Sequence, residues 1–249
     1  MLEAMREDAA LLRLSGIHKH YPNGLSSVHA LCDINLAVEP GEMVTVCGPS
    51  GHGKTTLLNL INMLEPASEG SLVLDGVKVA GLDEAGRALL RGRTIGAVFQ
   101  CFKLIPVMTA QENVMLPLLL RRRLKRTEFL DARAWAGELL ARVGLATHLH
   151  HYPVRLDAGQ CQRVAIARAL MTRPRLVVAD EPTSRLDASS LRMVLELFAT
   201  CRREHGTAFV ISTRDQRQLT HATRTLQLNG GRLATRPADL PRHALRVPA

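Results

Sequence analysis

Residues 43–64 read MVTVCGPSGHGKTTLLNLINML, and no other stretch of the chain restricts its fold as much. Met43–Cys47 is a short apolar run that reads as a buried strand. Gly48-x4-Gly53-Lys54-Thr55 follows at once. Thr56–Leu64 then places apolar residues at 57, 58, 60, 61 and 64, which is helical spacing. Strand, glycine loop and helix in that order form the context in which such a loop cradles phosphate. Glycines 48, 51 and 53 let the backbone curl so that its N–H groups point inward, and Pro49, Ser50 and His52 complete the loop. The helix N-terminus, from Lys54 to Thr56, adds positive potential. Lys54 is placed to reach the β- and γ-phosphates of a nucleotide, and the Thr55 hydroxyl to bind Mg2+.

Matching carboxylates lie downstream in RPRLVVADEPTSRLD, residues 173–187. Leu176–Ala179 reads as a short buried strand that ends at Asp180. In a phosphate-loop protein an aspartate there holds Mg2+, directly or through water. Glu181 follows, placed to orient or deprotonate an attacking water. Between these two segments, TIGAVFQ at 94–100 reads as another buried strand. Gln100 at its end is either an ordinary polar strand terminus or a ligand for Mg2+ and water at the carboxyl edge of a parallel sheet.

The rest of the chain sets bounds on these readings. Its 249 residues suit one large domain or a domain with a sub-domain. The longest clean apolar run, VMLPLLL at 114–120, is far short of the ~20 residues of a membrane helix. The start, MLEAMREDAA, lacks the apolar centre of a signal peptide, so a cytosolic protein is expected. Five cysteines without CxxC spacing read as small buried hydrophobes. The net charge of +9 is concentrated only in RRRLKR at 121–126. With aromatic residues at 3%, base-stacking platforms are missing and nucleic acid is disfavoured. The run is a solvated helix end or a patch that meets acidic headgroups. Residues 11–38 alternate like strands around an Asn-Gly turn at 23–24, whereas TEFLDARAWAGELLARVGL has helical periodicity.

Tyr21, the loop at 48–55, Gln100, the segment Leu156–Gln160, Asp180-Glu181 and SRLD at 184–187 come in a telling order. Over nearly its whole length the chain resembles the ATP-binding subunits of ABC transporters. The phrases HALCDINLAVEPGEM, NLINMLEPASEG and FQCFKLIPVMTAQENVMLPLLL are most similar to the lipoprotein-releasing and macrolide-export ATPases. The resemblance implies an α/β phosphate-loop fold with a mixed sheet, an N-terminal antiparallel β subdomain and an inserted helical subdomain. The core would cover about 11–100 and 160–234, the helical subdomain 101–159 and a loose tail 235–249. The ligands would be ATP and Mg2+, with Thr55, Gln100 and Asp180 at the metal and Glu181 and Gln100 in catalysis. Tyr21 would stack on adenine, although a half-buried strand tyrosine fits its surroundings equally. Gly159 and Gln160 would meet nucleotide held by a second subunit in a head-to-tail dimer. Apolar residues of 101–120 would either receive a transmembrane permease subunit or fill the subdomain core. The protein would then sit on the cytoplasmic face of the membrane through that partner.

Three departures stand out. The family usually reads Leu-Ser-Gly-Gly-Gln where this chain has Leu156-Asp157-Ala158-Gly159-Gln160. Asp157 caps a helix as well as serine does, with Gln160 completing a capping box, but an ionised aspartate cannot donate to phosphate. Thr213-Arg214-Asp215 stands where Thr-His-Asp is usual, and Arg185 where a small or amide residue is common. Two readings remain open. Asp157 and Arg214 pair across the dimer, or they are two separate losses. Likewise the chain either powers export or lipoprotein release by hydrolysis, or binds nucleotide in a regulatory role with little turnover.

Overall fold

The computed structural model describes residues 10–23, 26–121, 124–214 and 222–235. Strands β1 (Leu12–Asn23) and β2 (Ser26–Val38) form an antiparallel hairpin closed by the pair Asn23↔Ser26. Gly24 of the expected Asn-Gly turn lies outside the described residues, as do Arg122 and Arg123, Asp215 and the tail from 236. With β4 (Glu69–Leu74) and β5 (Val77–Lys78) the hairpin makes a four-stranded antiparallel sheet in the order β2-β1-β4-β5.

The second sheet has six strands in the order β10-β9-β3-β8-β7-β6. They are β3 (Met43–Cys47), β6 (Ile95–Val98), β7 (Leu176–Asp180), β8 (Ala208–Thr213), β9 (Arg224–Asn229) and β10 (Arg232–Thr235). All neighbours are parallel except β9 and β10. Strands β3, β7 and β8 are buried at every residue. Covered on both faces, such strands lose the polar alternation of a half-exposed sheet, which explains their unbroken apolar character.

Helix α1 (Lys54–Ile61) follows β3. It buries Leu57, Leu58, Leu60 and Ile61 but ends before Leu64, because Met63 adopts a left-handed conformation with φ +54°. Leu64, expected on the buried face, is therefore exposed. One apolar core joins α1 to the hairpin sheet and one face of the six-stranded sheet, through Ile17, Leu31, Val46 and Val178. The other core lies on the opposite face. It gathers α3 (Ala110–Arg121), α4 (Arg126–Arg142), α5 (Ala158–Leu170) and α6 (Ala188–His205) around Val177, Phe198 and Phe209. Helix α2 (Glu84–Thr94) leads into β6.

Helix α5 joins the helical layer to the sheet. It touches α3 and α4, and also β6, where Gly96 has no room for a side chain because a Cβ would run into the Ala169 carbonyl. The division expected after residue 159 thus falls just inside one continuous helix. The cysteines are all free thiols, with Cys47, Cys161 and Cys201 buried, Cys32 half-buried and Cys101 exposed. Cys101 therefore departs from the reading of small buried hydrophobes, since it sits in the turn after β6. No helix among the described residues is long and apolar enough to cross a membrane.

Candidate active site

The carboxyl ends of β3, β7 and β8 open on one cavity of about 440 Å³. Gly48 leaves β3 so close to β9 that a Cβ would run into the Leu228 carbonyl oxygen. Gly53 is the N-cap of α1, with φ +96° and no side-chain cap. A Cβ there would lie 2.5 Å from the Ala30 carbonyl oxygen, so glycine is needed for both conformation and space. The first N–H groups of α1 have no partner within the helix, an arrangement suited to an anion. Lys54 Nζ donates to the Gly48 and Pro49 carbonyls, at 2.7 Å each, and so lies inside the loop. Burial holds its pKa below the ordinary lysine value. The positive charge of Arg214 lowers it further, against the opposing effect of Glu181 and Asp180.

Ser50 to Thr56, Gln100 and Glu181 all line this cavity, while Gly48 and Pro49 act behind it on Lys54. Asp180 is buried behind Thr55, whose Oγ1 donates to Asp180 Oδ2 at 2.9 Å. Ser212 Oγ donates to the other oxygen, Oδ1, at 2.5 Å. Glu181 turns out of β7 with φ +46°, a left-handed conformation that costs a non-glycine residue roughly 1–3 kcal/mol. Its backbone N–H is held by Ser212 Oγ at 3.0 Å. Its carboxylate accepts Arg214 Nε at 2.5 Å on Oε1, and Gln100 Nε2 makes a long contact of 3.5 Å with Oε2. Thr55 and Asp180 are hard oxygen donors set side by side, the donor type Mg2+ takes when it also draws on substrate phosphates and water. Ser212 was not anticipated. Its signal was a serine closing the apolar run Ala208–Ile211.

Tyr21 is not brought into the cavity. Its hydroxyl donates to Glu65 Oε2 at 2.5 Å, Asn59 Nδ2 on α1 donates to Glu65 Oε1 at 3.0 Å, and Lys19 Nζ lies 4.9 Å from the ring centroid. Burial, and then the Glu65 hydrogen bond, raise the Tyr21 pKa. The phenol hydroxyl is thus held by Glu65 in the bend after α1, and the nearby cavity wall is made by Val28, His29 and Ala30 of β2.

Gly159 and Gln160 also lie apart from this cavity. Asp157 is the N-cap of α5: Oδ1 accepts the Gln160 N–H at 2.7 Å, and Gln160 Oε1 accepts the Asp157 N–H at 2.9 Å. The capping box read from the sequence is complete. Within one chain Asp157 serves as this cap and Arg214 pairs with Glu181, and their pairing across a dimer remains a proposal. Arg185 stacks its guanidinium 5.3 Å from the Phe102 ring. Phe102 and Lys103 both have positive φ, and Arg168 of α5 donates to their carbonyls at 2.5 and 2.6 Å. That buried arginine, unforeseen in the sequence, fixes the turn after Gln100 to α5. Of the apolar residues in 101–120, Leu104 packs on the core, whereas Ile105 and Val107 are exposed. Asn113 holds this loop by accepting the Ile105 N–H and donating to the Ile105, Met108 and Thr109 carbonyls.

This geometry agrees with what the chain is similar to. The sequence profile described as ABC transporter matches residues 31–184. The lipoprotein-releasing system ATP-binding protein LolD of Bordetella avium is 44% identical over 224 residues, covering 90% of this chain and 96% of the relative. LolD of Pseudomonas syringae pv. tomato is 44% identical over 226 residues, 91% and 98% of the two chains. Among solved structures, the ATP-binding cassette MJ0796, a dimer in a post-hydrolysis state bound to ADP and Pi, superposes with a TM-score of 0.84. It is 36% identical and covers 90% of this chain and 98% of its own.

Proposed function

The chain belongs to the ABC transporter ATP-binding family, and from that premise we propose that it is the ATP-hydrolysing subunit of a lipoprotein-releasing membrane complex. The observation that carries this reading is the convergence of Lys54, Thr55, Gln100 and Glu181 on one cavity, with Asp180 directly behind. The N–H groups at the start of α1 and the Lys54 ammonium grip the phosphate chain. Thr55 and Asp180 would hold Mg2+, whose charge would offset that of the phosphates. Gln100 and Glu181 orient a water. Glu181 accepts its proton as the water oxygen bonds to the γ-phosphorus, and the bond from that phosphorus to the β-γ bridging oxygen breaks, leaving ADP and inorganic phosphate.

A second copy supplies its Gly159 and Gln160 to the same nucleotide in a head-to-tail dimer. The exposed Ile105 and Val107 offer an apolar surface to a transmembrane permease subunit, which would hold the protein at the cytoplasmic face of the membrane. One observation favours a second reading, of nucleotide binding with little turnover: Glu181, the base, is already engaged by Arg214.

The test is phosphate release from Mg-ATP by wild type and Glu181→Gln, each with the membrane partner. Turnover by wild type and none by the variant supports hydrolysis. Nucleotide binding with no turnover by either supports the second reading.

A further inference from the structure

We propose that the end of the helical layer where α3 passes into α4, together with the last turn of α2, docks on an anionic phospholipid surface. The chain makes this contact itself, in addition to the one it offers to a permease. None of the residues involved lines the cavity of the nucleotide reading, so the two stand or fall separately.

Exposed apolar side chains gather here on helix faces that in a surface helix are polar. Leu120 in the last turn of α3 is 77% exposed, and Leu130 near the start of α4 is 55% exposed, with Phe129 exposed beside it. Leu89 of α2 is also exposed and lies one turn before Arg93 on the same face. The core is filled without them. Leu118 and Leu124 pack against it, and α4 buries Ala132, Ala136, Leu139 and Leu140 on its other side.

Cations rim these side chains. Arg93, Arg121, Lys125 and Arg126 are all exposed. Among the described residues no carboxylate forms an ion pair with any of them. Arg121 donates Nε to the Gly92 carbonyl at 2.8 Å, which lays the end of α3 on the last turn of α2 beside Arg93. Burial, and then the positive charge of Arg93, hold the Arg121 pKa below its ordinary value. The two guanidiniums repel one another, and a phosphate shared between them removes that repulsion. Two acids lie on the first turns of α4. Glu128 is turned to the helix start, where it accepts the Lys125 N–H at 2.8 Å, and Asp131 is exposed. The four cations outnumber them.

Apolar side chains ringed by Lys and Arg match a lipid surface. The cations meet headgroup phosphates, and the leucines and Phe129 enter the boundary between headgroups and acyl chains. These side chains protrude from three helix ends, which suits a soft layer that they can penetrate. Ile105 and Val107, offered to the permease, precede the opposite end of α3, whose 12 residues span about 18 Å. One helix therefore links the two membrane contacts, and two weak attachments on one body reinforce each other.

The test floats the full chain, without nucleotide or permease, with vesicles of phosphatidylcholine or of an equal mixture of phosphatidylcholine and phosphatidylglycerol. Wild type should bind the mixed vesicles, leave them as salt is raised, and ignore the neutral ones. Each cation at such a surface contributes about fivefold, so Lys125→Gln with Arg126→Gln should weaken binding about 25-fold. Phe129→Ser with Leu130→Ser should weaken it about tenfold. Arg192→Gln with Arg203→Gln removes the same charge from exposed positions on α6 and should stay within about twofold of wild type. Equal binding to both kinds of vesicle, an α6 variant as weak as the Lys125 and Arg126 variant, or a Phe129 and Leu130 variant that binds like wild type overturns the proposal. So does a wild type that leaves mixed vesicles unbound. Protection of Leu120–Leu130 from hydrogen exchange by the permease would then assign this face to a protein partner.

Discussion

Ser212 donates its hydroxyl hydrogen to Asp180 Oδ1 at 2.5 Å while the same oxygen accepts the Glu181 backbone N–H at 3.0 Å. One fully buried side chain of β8 thus sets the position of both acids at the end of β7. Ser212→Ala would leave a buried carboxylate oxygen and a backbone N–H unsatisfied. The expected cost is about 1–3 kcal/mol, read as a lower urea midpoint at unchanged slope. Phosphate release should fall as well, since Glu181 loses the bond that holds its left-handed backbone. An unmoved midpoint would mean that the hydroxyl positions neither acid.

Asp157 acts on stability through its cap. Replacing it with alanine removes the acceptor for the Gln160 N–H, for an expected loss of about 1 kcal/mol, while Asp157→Ser should stay within a few tenths of wild type. Thermal unfolding of the three proteins checks this. If Asp157→Ala melts with wild type, the carboxylate is not serving the helix.

Alkaline pH should destabilise the chain through its buried thiols. Burial pushes the Cys201 pKa up to about 11, and burial together with the Asp157 charge raises that of Cys161. An unfolded thiol titrates near ~8.5. Below that pH both states keep the proton and the stabilisation is complete. Between ~8.5 and about 11 the unfolded state releases a proton that the folded state retains, so stability falls as pH rises through that window. Urea midpoints at pH 8 and pH 10.5 should separate more for wild type than for Cys201→Ala. Equal separations would show that this thiol titrates alike in both states.

The phosphate loop, β3, β7 and the cap at Asp157 were legible because each depends on local chemistry. Glycine spacing, an apolar tetrad and a side chain reaching three residues along the chain are all visible without knowing the fold. Ser212, Arg168 and the Arg214–Glu181 pair were not legible. Each joins segments far apart in sequence, and only the parallel pairing of β7 with β8 and the crossing of α5 bring them together. Tyr21 is a further case, since nothing local announces the hydrogen bond of its hydroxyl to Glu65, 44 residues away. The intrachain contacts of Asp157 and Arg214 are a helix N-terminus and Glu181; the first was legible as a local cap and the second was not.

The most direct test of the account is a calorimetric titration of the full chain with Mg-ATP, wild type against Lys54→Ala. The loop is built around that ammonium, which now rests on the Gly48 and Pro49 carbonyls. Saturable binding by wild type, lost in Lys54→Ala, is the predicted result. Absence of wild-type binding up to millimolar ATP, or equal binding by the variant, would contradict the reading of this cavity as a nucleotide site.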